Sequence, residues 1–291
     1  MSVAGGASPE RPLAAATRIL DPLRADPTLI DVAKFVRAPG GLDLRGTDVE
    51  VLTRLQAVAR PLRARPPSRS QSRVRDIPAA WWPRIKRALG GRAYLDVGCA
   101  DGSITVAMAE SLDLDRARTL ACDVSDRVEP RLRGRLTFAK NSPTEIPFGD
   151  GAVGLVSMNM VAHHFAHPAA MFAEVRRVAG RGALLLLREH DPPPAELARV
   201  AARFDIEHAL WATVLGREQT PAEFVAEYNG PHGYAHYKPL DDWVRELEAL
   251  GFALVGRTKP APHGNFAATA LFEIREKSDK TDPLFEIREK K

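Results

Sequence analysis

Cysteine is nearly missing from this chain: Cys99 and Cys122 are the only two in 291 residues. Both sit inside apolar runs typical of core strands, so a disulfide framework is excluded and a reducing compartment fits. Long hydrophobic runs are missing as well. No stretch approaches the ~18–20 apolar residues that cross a bilayer, and the first residues lack a charged start followed by an apolar segment. The sequence therefore predicts a cytoplasmic protein, or a nuclear one where a nucleus exists, not secreted and without a membrane partner. No His, Cys or Asp cluster has the spacing of a metal site, and no cysteine lies in a motif that would form a covalent intermediate. Composition is otherwise average, with 45% hydrophobic and 27% charged residues, which excludes a fibrous or wholly disordered chain. The length allows one large α/β domain with an extension, or two modest domains.

Acid is scarce in one place. Between Arg54 and Arg92 a single carboxylate, Asp76, faces eleven lysines and arginines, and most of the net charge of +4 arises there. Within it, Arg65 to Arg73 carries the Pro and Ser punctuation of a mobile linker. Residues 1–76 are read as a flexible basic extension, disordered over 1–11 and with one or two short helices over 12–37. Ile77 to Leu89 then reads as a helix whose Trp81, Trp82, Ile85 and Leu89 share an apolar face. The arm is either a solvated leader or an RNA contact, with arginines on phosphates and a tryptophan stacked on a base.

After Gly90-Gly91 strands alternate with helices. Strands are predicted at Tyr94–Val97, Arg118–Cys122, Arg135–Ala139, Val153–Met158 and Ala183–Arg188, with helices at Ser103–Ser111 and Ala169–Val178. Such alternation implies parallel pairing through right-handed crossovers, hence an α/β doubly wound sheet that binds ligands beyond the carboxyl ends of its strands. Residues from Pro192 to Leu250 read as mostly helical, and Gly251–Arg257 with Phe266–Ile274 as a closing pair of strands. The segment Leu271–Lys277 recurs at Leu284–Lys290, so 277–291 reads as a tail carrying a duplicate rather than a second structural unit.

Leu95-Asp-Val-Gly-Cys-Ala-Asp-Gly-Ser103 joins a strand to a helix through a tight turn. Gly98 and Gly102 let a ligand lie against the main chain, and the helix start offers N–H groups to an anion. The spacing is not that of a dinucleotide loop. This run resembles motif I of the class I S-adenosylmethionine-dependent methyltransferases, in which an acid precedes three glycines at alternate positions. Asp96, Gly98 and Gly102 match, and Ala100 replaces the middle glycine. The resemblance implies a mostly parallel seven-stranded sheet over about residues 77–276, with a helical lid at 192–240, and S-adenosyl-L-methionine as cofactor. It implies cofactor contacts from Asp96, Gly98, Cys99, Ala100 and Gly102, and from Asp123 with Val124, the acid accepting from both ribose hydroxyls. It also likens Asn141 to Gly151, then His163-His164, to the adenine loop and the segment after the fourth strand. Ser142 stands where relatives often place an aspartate, and Met158 and Asn159 end that strand.

For the acceptor, Arg188-Glu-His-Asp191 ends the fifth strand. His190 reads as a proton acceptor oriented by Asp191, or as part of a solvated strand end. His163 is either a base or, with His164, pocket lining. Glu207, His208, Tyr234 and Tyr237 either contact the acceptor or pack a lid. The Glu-His-Asp run and the Tyr-containing segment also resemble methyltransferase-like proteins of large DNA viruses. Three functions stay open: a methyltransferase acting on RNA at a cap or terminal nucleotide, a small-molecule methyltransferase, and a binding module that has lost catalysis.

Overall fold

The computed structural model describes residues 45–59, 70–214, 220–228, 236–260 and 266–275. The expectations for residues 1–37 and for the second copy of the tail repeat lie outside these. Strands form where short apolar runs are bounded by turns, and all but the third and sixth are largely buried. They are β1 (Ala93–Val97), β2 (Thr119–Asp123), β3 (Thr137–Lys140), β4 (Val153–Asn159), β5 (Leu184–His190), β6 (Phe252–Arg257) and β7 (Ala267–Ile274). They make one seven-stranded sheet in the order β3-β2-β1-β4-β5-β7-β6. The first five run parallel, while β7 is antiparallel to both β5 and β6. The doubly wound reading holds.

Period-2 alternation sorts the strand residues onto two faces. Leu95, Val97, Val156, Met158, Leu185 and Leu187 join a core with Met171, Phe172 and Val175 of α5 (Pro168–Ala179) and Trp243 and Leu247 of α8 (Leu240–Ala249). On the opposite face Tyr94, Leu155, Leu184 and Leu186 meet Ile85 and Leu89 of α3 (Trp82–Leu89) and Met108 of α4 (Ser103–Leu112). α3 lies so close to β4 that a Cβ on Gly154 would stand 2.6 Å from the Ala88 carbonyl oxygen.

Part of the extension read as flexible is structured. Ser70–Arg75 forms helix α2, and Val74 and Ile77 are buried against Tyr94 and Met108. An apolar residue at 74 and another at 77 suffice to dock this turn; the dense charge around them hides the signal. The helix read over 77–89 is a 3-10 turn at Ala79–Trp81 running into α3.

A second compact unit is helical: α1 (Asp48–Ala59) packs against α7 (Pro221–Tyr228), and most of α6 (Leu197–Val214) belongs with them. Val51, Leu52 and Leu55 of α1 are buried, as are Phe204, Ile206 and Leu210 of α6. Among the described residues no helix is long and apolar enough to cross a membrane.

Candidate cofactor and acceptor site

At the end of β1 the chain turns on Gly98 (φ 75°), and the N–H groups of Gly98 and Cys99 both donate to the Cys122 carbonyl on β2, at 2.8 and 3.1 Å. A Cβ on Gly98 would lie 2.3 Å from Val161 Cγ2, so only glycine fits between this turn and the segment after β4. Ala100 keeps the left-handed conformation (φ 48°) of the glycine it replaces, and its N–H donates to Asp123 Oδ2 at 3.0 Å. Gly102 then opens α4, with Ser103 N–H on Asp101 Oδ1 at 2.9 Å. The turn, the strand-end acid and the helix start therefore lie together, as a cradle for a sulfonium amino acid with its ribose requires.

Asp96 corrects a sequence expectation. Its carboxylate is buried and spent inside the protein, taking Thr105 Oγ1 on Oδ2 and Ser157 Oγ on Oδ1, each at 2.6 Å. Tyr94 OH donates to Ser157 Oγ at 2.7 Å, since the serine proton already goes to Asp96. Burial raises the Asp96 pKa against these hydrogen bonds, one from Asn159 among them, and burial also raises that of Tyr94. Asp96 thus ties β1 to β4 and α4 and reaches the ligand edge only through the backbone it fixes. Cys99 and Met158 likewise turn inward, Cys99 into a cluster with Val106 and Ala121, Met158 into the α5-side core. Burial pushes the thiols of Cys99 and Cys122 up, so neither is a reactive nucleophile.

Asp123 takes Ser125 N–H and Oγ on Oδ1, at 3.0 and 3.1 Å, besides the Ala100 N–H. Roughly one of a carboxylate's four acceptor directions is left. Two ribose hydroxyls would require Ser125 Oγ to give way. Val124, beside it, is 53% exposed and offers an apolar surface. Ser142 Oγ accepts the Thr144 N–H at 3.3 Å, which leaves one of its two acceptor directions for an adenine amino group. The sequence reading missed its neighbour Asn141, whose Oδ1 is buried with no partner while Nδ2 donates to the Ser142 carbonyl at 2.7 Å. α5 holds the rest of this loop. Ile146 N–H donates to Glu174 Oε2 at 3.0 Å, and Arg177 donates to the Ile146 and Phe148 carbonyls at 2.8 and 2.9 Å.

Beyond β4 and β5 imidazoles gather. His163 Nδ1 meets Glu189 Oε2 at 2.6 Å, with the two side chains 4% and 1% exposed. Glu189 Oε1 takes the N–H groups of Ala162 and His163, at 2.8 and 3.4 Å. Burial opposes the Glu189 charge, but attraction to His163, its hydrogen bond, His190 and the Ala162 N–H outweigh it and hold the carboxyl below its ordinary range. Tyr237 stacks on His163 with centroids 4.9 Å apart, and His190 and His164 lie 5.2 and 4.2 Å from it. His236 N–H donates to the His163 carbonyl at 2.6 Å. The expected orienting role of Asp191 is not what the structure has. Asp191 Oδ1 accepts the Leu240 N–H at 2.8 Å at the start of α8, and the carboxylate that grips an imidazole is Glu189. The signal was present: Leu185, Leu187 and Glu189 alternate, so Glu189 continues the face covered by α5 and the segment after β4.

On the other face, Arg73, Tyr94, Ser157, Asn159, Arg188 and Thr269 line a narrow cavity under α2. Arg188 pairs with Asp76 at 3.0 Å and keeps a buried Nε without a partner. Glu207 pairs with Arg203 along α6 at 2.8 Å. His208 sits on the same helix with its side chain outside the described part, and Tyr234 lies outside the described residues. Among the described residues no group of His, Cys, Asp and Glu is placed to hold a metal.

Residues 95–187 match the model of a family described as a methyltransferase domain. Among solved structures, a magnesium protoporphyrin IX methyltransferase from Synechocystis PCC 6803 with bound SAH is 15% identical, covering 81% of this chain and 90% of its own, at a TM-score of 0.47. A SAM-dependent methyltransferase from Methanosarcina mazei is 18% identical over 67% of this chain and 98% of its own, at 0.47. One from Aquifex aeolicus is 14% identical over 70% and 98%, at 0.44. Curated proteins give no match. Nothing in these comparisons supports the resemblance to viral proteins. The domain match begins within β1 and ends within β5, so it takes in the glycine turn, the Asp123 edge and the His163 segment alike, and over residues 95–187 the chain is similar to a methyltransferase domain.

Proposed function

We propose that the chain methylates a small molecule seated beyond the ends of β4 and β5, against His164, His190 and Tyr237. S-adenosylmethionine supplies a methyl carbon made electrophilic by its positively charged sulfur. The protein's task is positional: the acceptor atom must sit about 3–3.5 Å from that carbon, in line with the bond to be broken. Gly98, Ala100 and Asp123 would hold the amino-acid and ribose parts, Val124 and Asn141 the adenine, and the backbone after Asn159 the methyl-bearing end. The observation that carries this reading is adjacency. Val161 lies against Gly98, and the His163–Glu189 pair follows within two residues, so a cofactor in the turn would present its methyl toward the imidazoles.

A second reading keeps RNA as the acceptor. It is favoured by Arg75, Lys86 and Arg87, which are exposed within the basic segment. Against it, Arg84 pairs with Glu273 at 2.6 Å and Arg92 donates to the Ala179 and Ala88 carbonyls, so part of the charge serves the fold. Incubation with radiolabelled cofactor and separate RNA, protein and metabolite extracts decides between them. Label in the metabolite pool supports the first reading, and label in RNA that fades when Arg75, Lys86 and Arg87 are replaced by Ser supports the second.

A further inference from the structure

We propose that His163 and Glu189 act together as the proton acceptor for the substrate, and that the substrate is therefore a small molecule methylated on a hydroxyl oxygen. The inference rests on the acceptor site proposed above and adds the chemical class of its occupant. The geometry is directional. Glu189 is held by three backbone N–H groups, those of Ala162, His163 and His190, and presents Oε2 to His163 Nδ1 at 2.6 Å. A carboxylate there fixes the proton on Nδ1 and leaves the Nε2 lone pair to accept. The imidazole is almost wholly buried, and the hydrogen bond to Glu189 uses its Nδ1.

A buried carboxylate and a buried imidazole cost desolvation, which a simple packing role would not require. An amine acceptor brings its own lone pair, whereas a neutral hydroxyl oxygen is a weak nucleophile until its proton is drawn away. In the step, the acceptor O–H bond breaks and its proton goes to His163 Nε2. The oxygen forms a bond to the methyl carbon as the carbon–sulfur bond breaks, and the bonding pair neutralises the sulfur. His163 later returns the proton to solvent. Glu189 touches no reactant and is a positioning residue. The groups facing His163 are Tyr237 and the His236 N–H from the segment before α8, His190 from β5, and His164 beside it. Asp191 is occupied by the start of α8 and adds no second carboxylate contact.

The first test needs no substrate. Imidazole nitrogen NMR of the wild-type protein saturated with S-adenosylhomocysteine is expected to show His163 protonated on Nδ1 and bare on Nε2 when neutral; a proton on Nε2 overturns the proposal. The second offers radiolabelled cofactor with a panel of simple phenols, alcohols and primary amines. Transfer to hydroxyls is expected, and transfer to amines alone, or to no hydroxyl compound, overturns it. For a hydroxyl that is methylated, Glu189→Gln should lower kcat by roughly 10²–10⁴-fold, the range of general-base catalysis. It should also move the acidic limb of the kcat/KM profile to lower pH, because the imidazolium loses its carboxylate. Affinity for S-adenosylhomocysteine should stay within about twofold. An unchanged pH limb would reduce Glu189 to a structural residue and overturn the pairing. If the wild type fails to bind S-adenosylhomocysteine at all, the reading of the whole site fails instead.

Discussion

Ala100 gives its backbone N–H to the carboxylate of Asp123 at 3.0 Å, so the turn after β1 and the acid at the end of β2 form one unit. Replacing the acid loosens the turn and, on the function proposed above, also removes a ligand contact. Asp123→Ala is expected to weaken S-adenosylhomocysteine binding by about 1.5–3 kcal/mol, the value of hydrogen bonds to a charged group. Asp123→Asn, which keeps one acceptor oxygen for Ala100, should lose less. Titration calorimetry reads both, and equal losses would show that the turn gains nothing from residue 123.

Ala100→Gly should run against the usual rule. Alanine in the left-handed region costs roughly 1–2 kcal/mol, while glycine adds about 0.4–1 kcal/mol of unfolded-chain entropy to be lost. With φ at 48° the first effect prevails, so the variant is expected to melt no lower than the parent. A clear fall in melting temperature would mean that the alanine methyl makes a packing contact of its own.

Gly98→Ala meets both a positive φ and the Val161 side chain. Loss of cofactor binding with a lower melting temperature is expected. Adding Val161→Ala removes the clash but not the backbone strain, so recovery should be partial. Full recovery in calorimetry and thermal melts would leave no role for the backbone conformation.

Acid should release the loop between β3 and β4 before it unfolds the sheet. The Arg177 guanidinium, hydrogen-bonded to Glu174, holds that carboxyl below its ordinary pKa, with burial opposing and the Ile146 N–H assisting. Because the folded value is the lower one, the contribution is present above the ordinary glutamate pKa and is lost as pH falls through the depressed folded value. Hydrogen exchange at the Ile146 amide, corrected for intrinsic pH dependence, is expected to quicken over that range. Arg177→Ala should produce the same opening near neutral pH and weaken cofactor binding.

The inner strands were legible because each is a short apolar run cut by Gly or by charge, and burial on both faces keeps such runs nearly continuous. The glycine turn and Asp123 were legible for a local reason: their spacing is set by one strand, one turn and one helix. What escaped depends on contacts between distant segments. The alternation of Leu185, Leu187 and Glu189 marks a covered face, but only the pairing of β4 with β5 brings Glu189 to His163. Asp191 was read with its neighbour for the same reason, although its partner Leu240 is 49 residues away. α2 escaped because two buried side chains, Val74 and Ile77, are enough to fix a turn surrounded by arginines.

One feature of the topology bears on how the protein is made. β7 is drawn last from the ribosome among the seven strands, yet it occupies an interior place between β5 and β6. Until Ile274 has emerged, β5 keeps a bare edge and β6 has nothing to pair with, which is a hazard for a nascent chain. Synthesis therefore carries an almost complete sheet with an open slot, and cutting the chain before Ala267 should leave an aggregating fragment rather than a smaller folded protein.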